Sequence, residues 1–454
     1  MALRFKINNV LSLQVFQILR FAAFLLVDVF FAKSHLSVKE MGDWHLMLFI
    51  TSGVSFFWIS GIIQSLIPLF NNNSSFRSTE RPRLVKSPEL FNAFILLTVF
   101  SAVFTILILV FGHFGFKSSS LGQIPYHNLL ALYFFFNCPG ALIEYIYLLK
   151  NKPYHIFYFG IISFVLILLA VCIPVLLGFN IIYSIWGLII FTVLRYLLLI
   201  FLLVKYSRIQ FSWSFMKSHM KLGYPIILSA LLSGSTQYID GALASFAVGS
   251  ERFAVFRVGT VELPMVNQLA NGLSNAMLVG FATAEKMKLT LIEIRKKSLR
   301  LMHYLFPLSI FVMIFSRWIF TTLLYNENFN RSADIFMVYQ LIIISRLIFP
   351  HTILIGLKRT KVLLNISIIS IILNISLSLI FINGFWFIPG YGLVGLALGT
   401  VSVLVLEKIF LILYNYYKLG IKPTEYIPMK WYLFYSSMII LVFVLIDHRI
   451  IKIY

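Results

Sequence analysis

Thirteen long apolar segments follow one another along the chain and constrain its fold more than any other sequence feature. They lie at about 9–31, 42–70, 88–113, 125–149, 154–177, 180–204, 222–247, 253–283, 300–325, 333–356, 361–384, 392–416 and 431–447. Each approaches or exceeds the roughly 20 apolar residues that a helix needs to cross a bilayer. Because hydrocarbon offers backbone polar groups no partner, we predict that these segments are transmembrane helices.

The composition excludes a soluble enzyme or a nucleic-acid-binding domain. Of the 454 residues, 60% are hydrophobic and only 12% are charged, which is typical of a polytopic membrane protein. The formal net charge of +21 would suggest nucleic acid in a soluble chain. In a membrane protein it indicates basic loops that face an anionic cytoplasmic leaflet. We therefore expect membrane lipids, and no nucleic acid, among the partners.

The basic residues also predict an orientation. With the N-terminus inside, the inner loops carry 24 Lys and Arg residues, whereas the outer loops and the C-terminal tail carry seven. Loops rich in Lys and Arg stay on the cytoplasmic side, so we predict a cytoplasmic N-terminus. The most basic loop is predicted at 284–300. The thirteenth segment would place the C-terminus outside, unless residues 432–446 are re-entrant or lie in the interface.

A repeated layout divides the chain into two halves. A shift of 212 positions places Asp28 on Asp240, each ahead of a short polar turn at 37–40 or 249–252. This pattern predicts two parallel bundles, as in transporters built from repeats. We predict a six-helix bundle over 1–206, a basic cytoplasmic linker over 207–221, a second six-helix bundle over 222–417, and an additional helix and tail over 418–454. A cavity is expected between the bundles.

Charged residues within the apolar segments are the candidate functional residues. The deepest are Arg20, Arg195, Arg257 and Arg346, together with Asp28, Asp240 and Glu262. Such residues face a bundle interior or a wet cavity rather than lipid. Because guanidinium groups match phosphate oxygens bidentately, the four arginines are candidates for binding an anionic substrate such as a lipid diphosphate. The three acidic residues are candidates for ion coupling or for structural pairing.

The sequence also allows a purely structural role for these charged residues, as salt-bridge partners of one another. Arg20 is close enough along the chain to pair with Asp28, and Arg257 with Glu262. A salt bridge from Arg346 to Asp240 or Glu262 would equally satisfy its charge.

No sequence motif indicates catalysis. The chain contains no HExxH motif, no P-loop and no glycine-rich dinucleotide fingerprint. Its two cysteines, Cys138 and Cys172, lie in apolar segments and indicate neither a disulfide framework nor a metal site. We predict that the protein is not an enzyme and that it has no cofactor and no metal.

Proline and glycine residues predict bends within several segments. Pro139-Gly140 is expected to interrupt the fourth segment, Pro225 to open the seventh, and Pro264 and Pro350 to lie within the eighth and tenth. Bends of this kind are tolerated in membranes when neighbouring groups satisfy the freed carbonyls.

Several short motifs carry a resemblance to a known family. They are Gln64-Ser65-Leu66-Ile67-Pro68, Leu222-Gly223-Tyr224-Pro225, Asp240, the turn at 249–252, and Asn275-Ala276-Met277-Leu278. With these motifs the chain resembles the multidrug/oligosaccharidyl-lipid/polysaccharide exporter superfamily, and within it the Wzx-type polysaccharide transporters. The layout is similar over nearly the whole chain. One departure is Val279-Gly280, where the first half has its closing proline.

The resemblance implies a flippase/MATE-like fold and a transport function. Such a protein would flip a polyprenyl-diphosphate-linked oligosaccharide across the bacterial inner membrane by alternating access. The cargo would be an O-antigen unit for lipopolysaccharide, or a capsule or exopolysaccharide unit, and other polysaccharide assembly proteins are expected partners. The alternatives are a drug/cation antiporter of the same superfamily and a membrane polysaccharide polymerase. The longest outer loop, about 11 residues, speaks against the polymerase.

Overall fold

The computed structural model describes residues 9–75, 86, 88–114, 124–247, 249–277, 284–357, 359–384 and 391–447. Ten described helices are long and apolar enough to cross a membrane, or eleven if the bent pair Glu327–Arg346 and Pro350–Gly356 forms one span. The predicted all-helical, polytopic membrane protein is therefore confirmed. The number thirteen is not established, because the predicted segments 222–247 and 253–283 adjoin or include residues outside this description.

The chain divides into two compact units, the first comprising Met1–Gly234 and Ser245–Ala254. Its helices are α1 (Asn9–Ala32), α2 (Val38–Ser75), α3 (Pro88–Phe114), α4 (His127–Gly140), α5 (Ile143–Leu149), α6 (Pro153–Leu176), α7 (Ile181–Tyr206) and most of α8 (Trp213–Ala247). Helix α1 packs on α6, α3 packs on α4, and α7 packs on both α4 and α6. Trp58 is fully buried and stacks on Phe104 with a ring separation of 5.9 Å.

The second unit comprises Ser235–Ala244 and Val255–Tyr454. Its helices are part of α8 and of α9 (Ser250–Gly259), then α10 (Pro264–Met277), α11 (Ala284–Ile314), α12 (Ser316–Trp318), α13 (Asn330–Gln340), α14 (Ile343–Arg346), α15 (Pro350–Gly356), α16 (Thr360–Asn383), α17 (Leu393–Leu419), α18 (Pro423–Tyr426) and α19 (Met429–Asp447). Helix α17 packs on α13, α15 and α16, and α19 packs on α11.

Three apolar segments are broken by prolines. The fourth is interrupted after Gly140, as predicted, and continues as α5. The eighth was predicted as one helix, but α9 ends at Gly259 and α10 begins at Pro264. The tenth is likewise split, since α14 ends at Arg346 and α15 begins at Pro350. Proline has no backbone N–H and disfavours helical geometry in the residue before it, and each break has a proline within two residues of it, Pro139 just before the first break and Pro264 and Pro350 at the end of the other two.

Two sequence-based boundaries are wrong. Helix α8 begins at Trp213 and runs through Pro225, which does not open it. The predicted loop 284–300 belongs to α11. This stretch is an amphipathic helix, in which Leu291, Ile294 and Ser298 are buried at helical spacing. Its exposed face carries a salt bridge of 2.7 Å between Glu293 and Lys297, one helical turn apart.

Candidate functional site

Asp240 is held in a polar cluster within the second unit. Its side chain is buried, and its Oδ2 atom accepts hydrogen bonds from the hydroxyl groups of Tyr339, at 3.0 Å, and of Thr400. Asn374 donates from Nδ2 to Thr400 Oγ1 at 3.1 Å. The cluster thus joins α8, α13, α16 and α17. Asp240 forms no salt bridge with a described Lys, Arg or His residue.

Two oxygen atoms of this cluster, Oδ1 of Asp240 and Oδ1 of Asn374, are buried without a hydrogen-bond partner among the described residues. Oγ of Ser378, one helical turn beyond Asn374 on α16, is also buried without such a partner. Buried acceptors normally find a donor or a cation, because an unsatisfied polar group in a low-dielectric interior is costly. A set of carboxylate, amide and hydroxyl oxygens suits a proton or a hard cation such as Na⁺. The described residues contain no cluster of three His, Cys, Asp or Glu side chains of the kind that holds a transition metal.

Arg346 and Glu262 form a bidentate salt bridge in the same unit. Arg346 donates from Nε to Oε2 at 3.0 Å and from Nη2 to Oε1 at 2.5 Å. Both side chains are partly exposed, at 21% and 24%. The structure therefore selects Glu262, rather than Asp240, as the partner of Arg346. It also shows that the carboxylate of Glu262, which the sequence could place with Arg257, is engaged by Arg346.

The break beside Arg346 is satisfied by side chains. Ser298 Oγ donates to the carbonyl of Leu347 at 2.6 Å, and Asn415 Nδ2 donates to the carbonyl of Pro350 at 3.1 Å. Neighbouring helices thus supply the donors that a broken membrane helix requires. Arg346, the last residue before the break, therefore extends its side chain from a backbone that these two hydrogen bonds hold in place.

A second basic group lies near Arg346 and was not among the candidate residues predicted from the sequence. Lys408 Nζ lies 3.3 Å from His351 Nδ1, and His351 Nε2 lies 3.4 Å from Ser274 Oγ. The charge of Arg346 acts on both His351 and Lys408. Lys408 forms no salt bridge with a described carboxylate. The available signal was a lysine within the apolar segment 392–416, but its neighbours are distant in sequence.

Arg195 and Arg20 lie near one carboxylate in the first unit. Arg195 donates to Asn137 Oδ1 at 3.4 Å and to the carbonyl of Gly140 at 3.1 Å, which the break between α4 and α5 exposes. The buried side chain of Glu144 interacts electrostatically with both arginines. Arg20 is exposed and its guanidinium lies 5.8 Å from the ring of Phe16. The shared neighbour Glu144 comes from another helix, so the spacing of Arg20 along α1 did not indicate it.

The two aspartates aligned by the sequence repeat have different surroundings. Asp28 Oδ1 lies 3.9 Å from Nε2 of buried His45. Asp240 instead contacts hydroxyl groups, and Arg257 lies within electrostatic range of Tyr339 in that cluster. Their equivalence as repeat positions remains a prediction.

A comparison with protein families assigns the chain. A family model described as polysaccharide biosynthesis protein matches residues 35–334, about two thirds of the sequence. The chain belongs to this family. A search of curated proteins found no match.

Solved structures of transporters share the fold. The lipid II flippase MurJ in an inward closed conformation matches with a TM-score of 0.61 and 18% identity, over 95% of this chain and 92% of that one. An inward-facing multidrug resistance MATE family transporter of the MOP superfamily matches with a TM-score of 0.68 and 14% identity, over 91% of this chain and 98% of that one.

A third match is a MOP superfamily transporter from Pyrococcus furiosus, described by the reverse polarity of its binding pocket. It has a TM-score of 0.58 and 14% identity, over 90% of this chain and 94% of that one. The predicted flippase/MATE-like fold is therefore confirmed.

Proposed function

We propose that this chain is a flippase for a polyprenyl-diphosphate-linked oligosaccharide in the bacterial inner membrane, with its N-terminus in the cytoplasm. Family membership places it in polysaccharide biosynthesis, and its fold is shared with a lipid II flippase and with MOP superfamily transporters. A polysaccharide-pathway protein with a transporter fold has a lipid-linked sugar as its natural cargo. The proposed mechanism is alternating access.

The observation that carries this proposal is the basic group around the break at Arg346. A guanidinium fork, an ammonium group and an imidazole lie together on α14, α15 and α17, and the salt-bridged carboxylate among them is that of Glu262. An arginine left in hydrocarbon without a partner would cost roughly 2.5–3.5 kcal/mol on insertion scales. We therefore expect this basic group to bind an anionic partner. Phosphate oxygens accept the same bidentate geometry as Glu262, and a diphosphate can exchange with that carboxylate.

The proposed coupling ion binds at Asp240. A buried carboxylate without a cationic side chain must be neutralised by a proton or by a metal cation. The unpartnered oxygens of Asn374 and Ser378 would complete the coordination of Na⁺. Repeat-built transporters bind their coupling ions between helices of the bundle, where oxygen atoms coordinate them.

The remaining candidates have different proposed roles. Arg20 is exposed and is assigned to the cargo path, as is Arg257. Arg195 is held by Asn137 and by the carbonyl of Gly140, so it also fixes the break between α4 and α5. For Asp28, beside His45, we keep the two proposed roles of ion coupling and structural pairing.

The function is tested by deleting the gene in its source organism and following lipid-linked sugars. We expect loss of surface polysaccharide and accumulation of lipid-linked oligosaccharide in the cytoplasmic leaflet, both reversed by the wild-type gene. Single repeat units that reach the outer leaflet without being joined would indicate a polymerase instead. Normal surface polysaccharide together with increased drug sensitivity would indicate the antiporter.

A further inference from the structure

A groove of about 420 Å³ lies in the first unit along α5, α6 and α7. Its walls include Tyr147, Tyr158, Ile162, Leu166, Leu194 and Arg195. The volume falls within the roughly 300–1,000 Å³ typical of ligand sites. The lining is mainly apolar and aromatic, which suits a hydrocarbon chain more than a polar solute.

The groove opens sideways through exposed apolar side chains. Tyr158, Ile162 and Leu194 are 60%, 55% and 54% exposed, and all three lie within membrane-crossing helices. Exposed apolar surface on such helices faces the acyl chains of the bilayer. A lipid chain can therefore enter the groove directly from the membrane.

One end of the groove is basic. Lys152 immediately precedes α6 and donates from Nζ to the hydroxyl group of Tyr206 at 2.8 Å. Lys205 lies in the last turn of α7, with Nζ 5.5 Å from the ring of Tyr206. The charges of both lysines act on His155, which lines the groove. The start of α6 and the end of α7 thus gather two cations at the mouth of an apolar channel.

The deep part of the groove is not a second anion site. Arg195 lines it, but its guanidinium donates to Asn137 and to the carbonyl of Gly140. The carboxylate of Glu144 offsets its charge. The guanidinium of Arg195 is thus engaged, whereas Lys152 and Lys205 form no salt bridge with a described carboxylate.

We propose that this groove binds an anionic phospholipid, with the phosphate at Lys152 and Lys205 and one acyl chain along α6 and α7. Basic pockets between membrane helices recognise anionic headgroups in this way. The site is separate from Asp240 and Arg346, and the inference does not rest on the proposed flippase activity. The bound lipid would brace α7 against α6.

Native mass spectrometry of the purified protein tests the proposal. The protein in detergent is titrated with phosphatidylglycerol and with phosphatidylcholine that carries the same acyl chains. We expect one phosphatidylglycerol to be retained in preference to phosphatidylcholine. Replacing Lys152 and Lys205 by Gln should weaken its retention by roughly fivefold for each lysine removed.

A matched pair of tryptophan variants tests the groove itself. Leu194→Trp fills it, whereas Leu197→Trp lies outside it on the same helix, and the two leucines are 54% and 56% exposed. We expect only Leu194→Trp to abolish retention, with both variants melting as the wild type does. Equal retention of phosphatidylcholine, or an unchanged Leu194→Trp variant, would overturn the proposal. Displacement by a polyprenyl phosphate at lower concentration than phosphatidylglycerol would assign the groove to a polyprenyl chain and equally overturn it.

Discussion

Arg346 and Glu262 join two broken helices through the Nε and Nη2 atoms of the guanidinium and both carboxylate oxygens, at 3.0 and 2.5 Å. Glu262 lies between α9 and α10, two residues before Pro264. Arg346 is the last residue of α14, before the break at Pro350. The prolines end the regular backbone, and the salt bridge links the two ends. A partner that displaces Glu262 would therefore act on two helix breaks of the second unit at once.

Two substitutions at Arg346 distinguish the role of its positive charge from that of its planar guanidinium group. Arg346→Ala leaves the half-buried carboxylate of Glu262 without its counter-ion, at a cost of about 1–3 kcal/mol in stability. Arg346→Lys keeps the charge and loses the planar fork. We expect the Ala variant to abolish surface polysaccharide at unchanged protein level, and the Lys variant to be partly active, in a complementation assay.

The exchanged pair Arg346→Glu with Glu262→Arg is the control. It restores the opposite charges and should recover the melting temperature of the wild type without recovering export. Recovery of export by the exchanged pair would show that the salt bridge is only structural. Full activity of Arg346→Ala would remove the proposed role in cargo binding.

Asp240→Asn tests the proposed ion site. The amide is close in size to the carboxylate but carries no charge, so the buried cluster loses the negative charge that attracts a cation. We expect export to be lost while the melting temperature stays equal or rises, because burying a neutral group costs less than burying a charge. In the wild type, Na⁺ at a hundred times its dissociation constant would stabilise the fold by about 2.7 kcal/mol relative to K⁺.

Asp43→Asn provides the matched control for that experiment. Asp43 is also a buried carboxylate but lies on α2 in the first unit. Its variant should keep the response of the melting temperature to Na⁺, whereas Asp240→Asn should lose it. A wild type that responds to pH but not to Na⁺ would identify a proton as the coupling ion. Normal export by Asp240→Asn would end the coupling role.

The helices were predictable because local hydropathy decides them. The predicted segments 154–177 and 180–204 correspond to α6, Pro153–Leu176, and α7, Ile181–Tyr206. An apolar run of this length has no other stable conformation in hydrocarbon. The eighth segment shows the limit of hydropathy, because its composition stays apolar through the break ahead of Pro264.

The partners of the charged residues were not predictable in the same way. Asp240 contacts Thr400, 160 positions away, and that contact depends on how α8 packs against α17. Hydroxyl and amide residues occur throughout the apolar segments without a periodic signal, so nothing in the sequence distinguishes Thr400 or Asn374. The charged residues were visible as exceptions in hydrocarbon, whereas their neutral partners were not.

Gly399→Ala should disturb the packing beside the Asp240 cluster. An ideal Cβ at Gly399 would lie 2.7 Å from Ser378 Oγ and 3.0 Å from the backbone N and Cα of Ser378. Because backbone atoms are involved, α16 and α17 must move apart. Overpacking costs about 1–3 kcal/mol, and the better helix propensity of Ala returns up to about 1. We expect a lower melting temperature. The control is Gly249→Ala, whose added Cβ would meet no described atom within 4 Å, so its melting temperature should stay unchanged. Equal melting temperatures of the two variants would contradict the contact.

His219 gives the first unit a defined dependence on pH. It lies on α8 ahead of the predicted span 222–247, is buried, and donates from Nε2 to the carbonyl of Ile62 at 2.8 Å. Burial lowers the pKa of this imidazole, so the unfolded chain binds the proton more tightly than the folded one. The stability contributed by the neutral ring is thus present above about pH 6.5 and is lost as the pH falls below it, by at most about 1.4 kcal/mol per pH unit.

Melting curves measured between pH 5 and 8 check this dependence. His219→Gln keeps a donor of similar reach but cannot be protonated, so its melting temperature should fall less at acid pH. An acid response identical in wild type and His219→Gln would place the titrating group elsewhere.

The orientation predicted from the basic loops can be checked with two exposure-matched cysteines. Lys296 on α11 and Asn328, just before α13, both have exposed side chains, and Asn328 uses only its backbone N–H in its hydrogen bond to Asn326 Oδ1. In a background without Cys138 and Cys172, Asn328→Cys should react with a membrane-impermeant maleimide in intact cells. Lys296→Cys should react only after the membrane is opened, because a segment this basic stays in the cytoplasm.

A second pair is provided by Arg83 and Ser119, which lie outside the described residues. A cysteine at Arg83 should be protected and one at Ser119 should be labelled. Since both described positions are exposed, a difference in labelling reports the side of the membrane and not burial. The reverse pattern would place the N-terminus outside and would reverse the proposed direction of flipping.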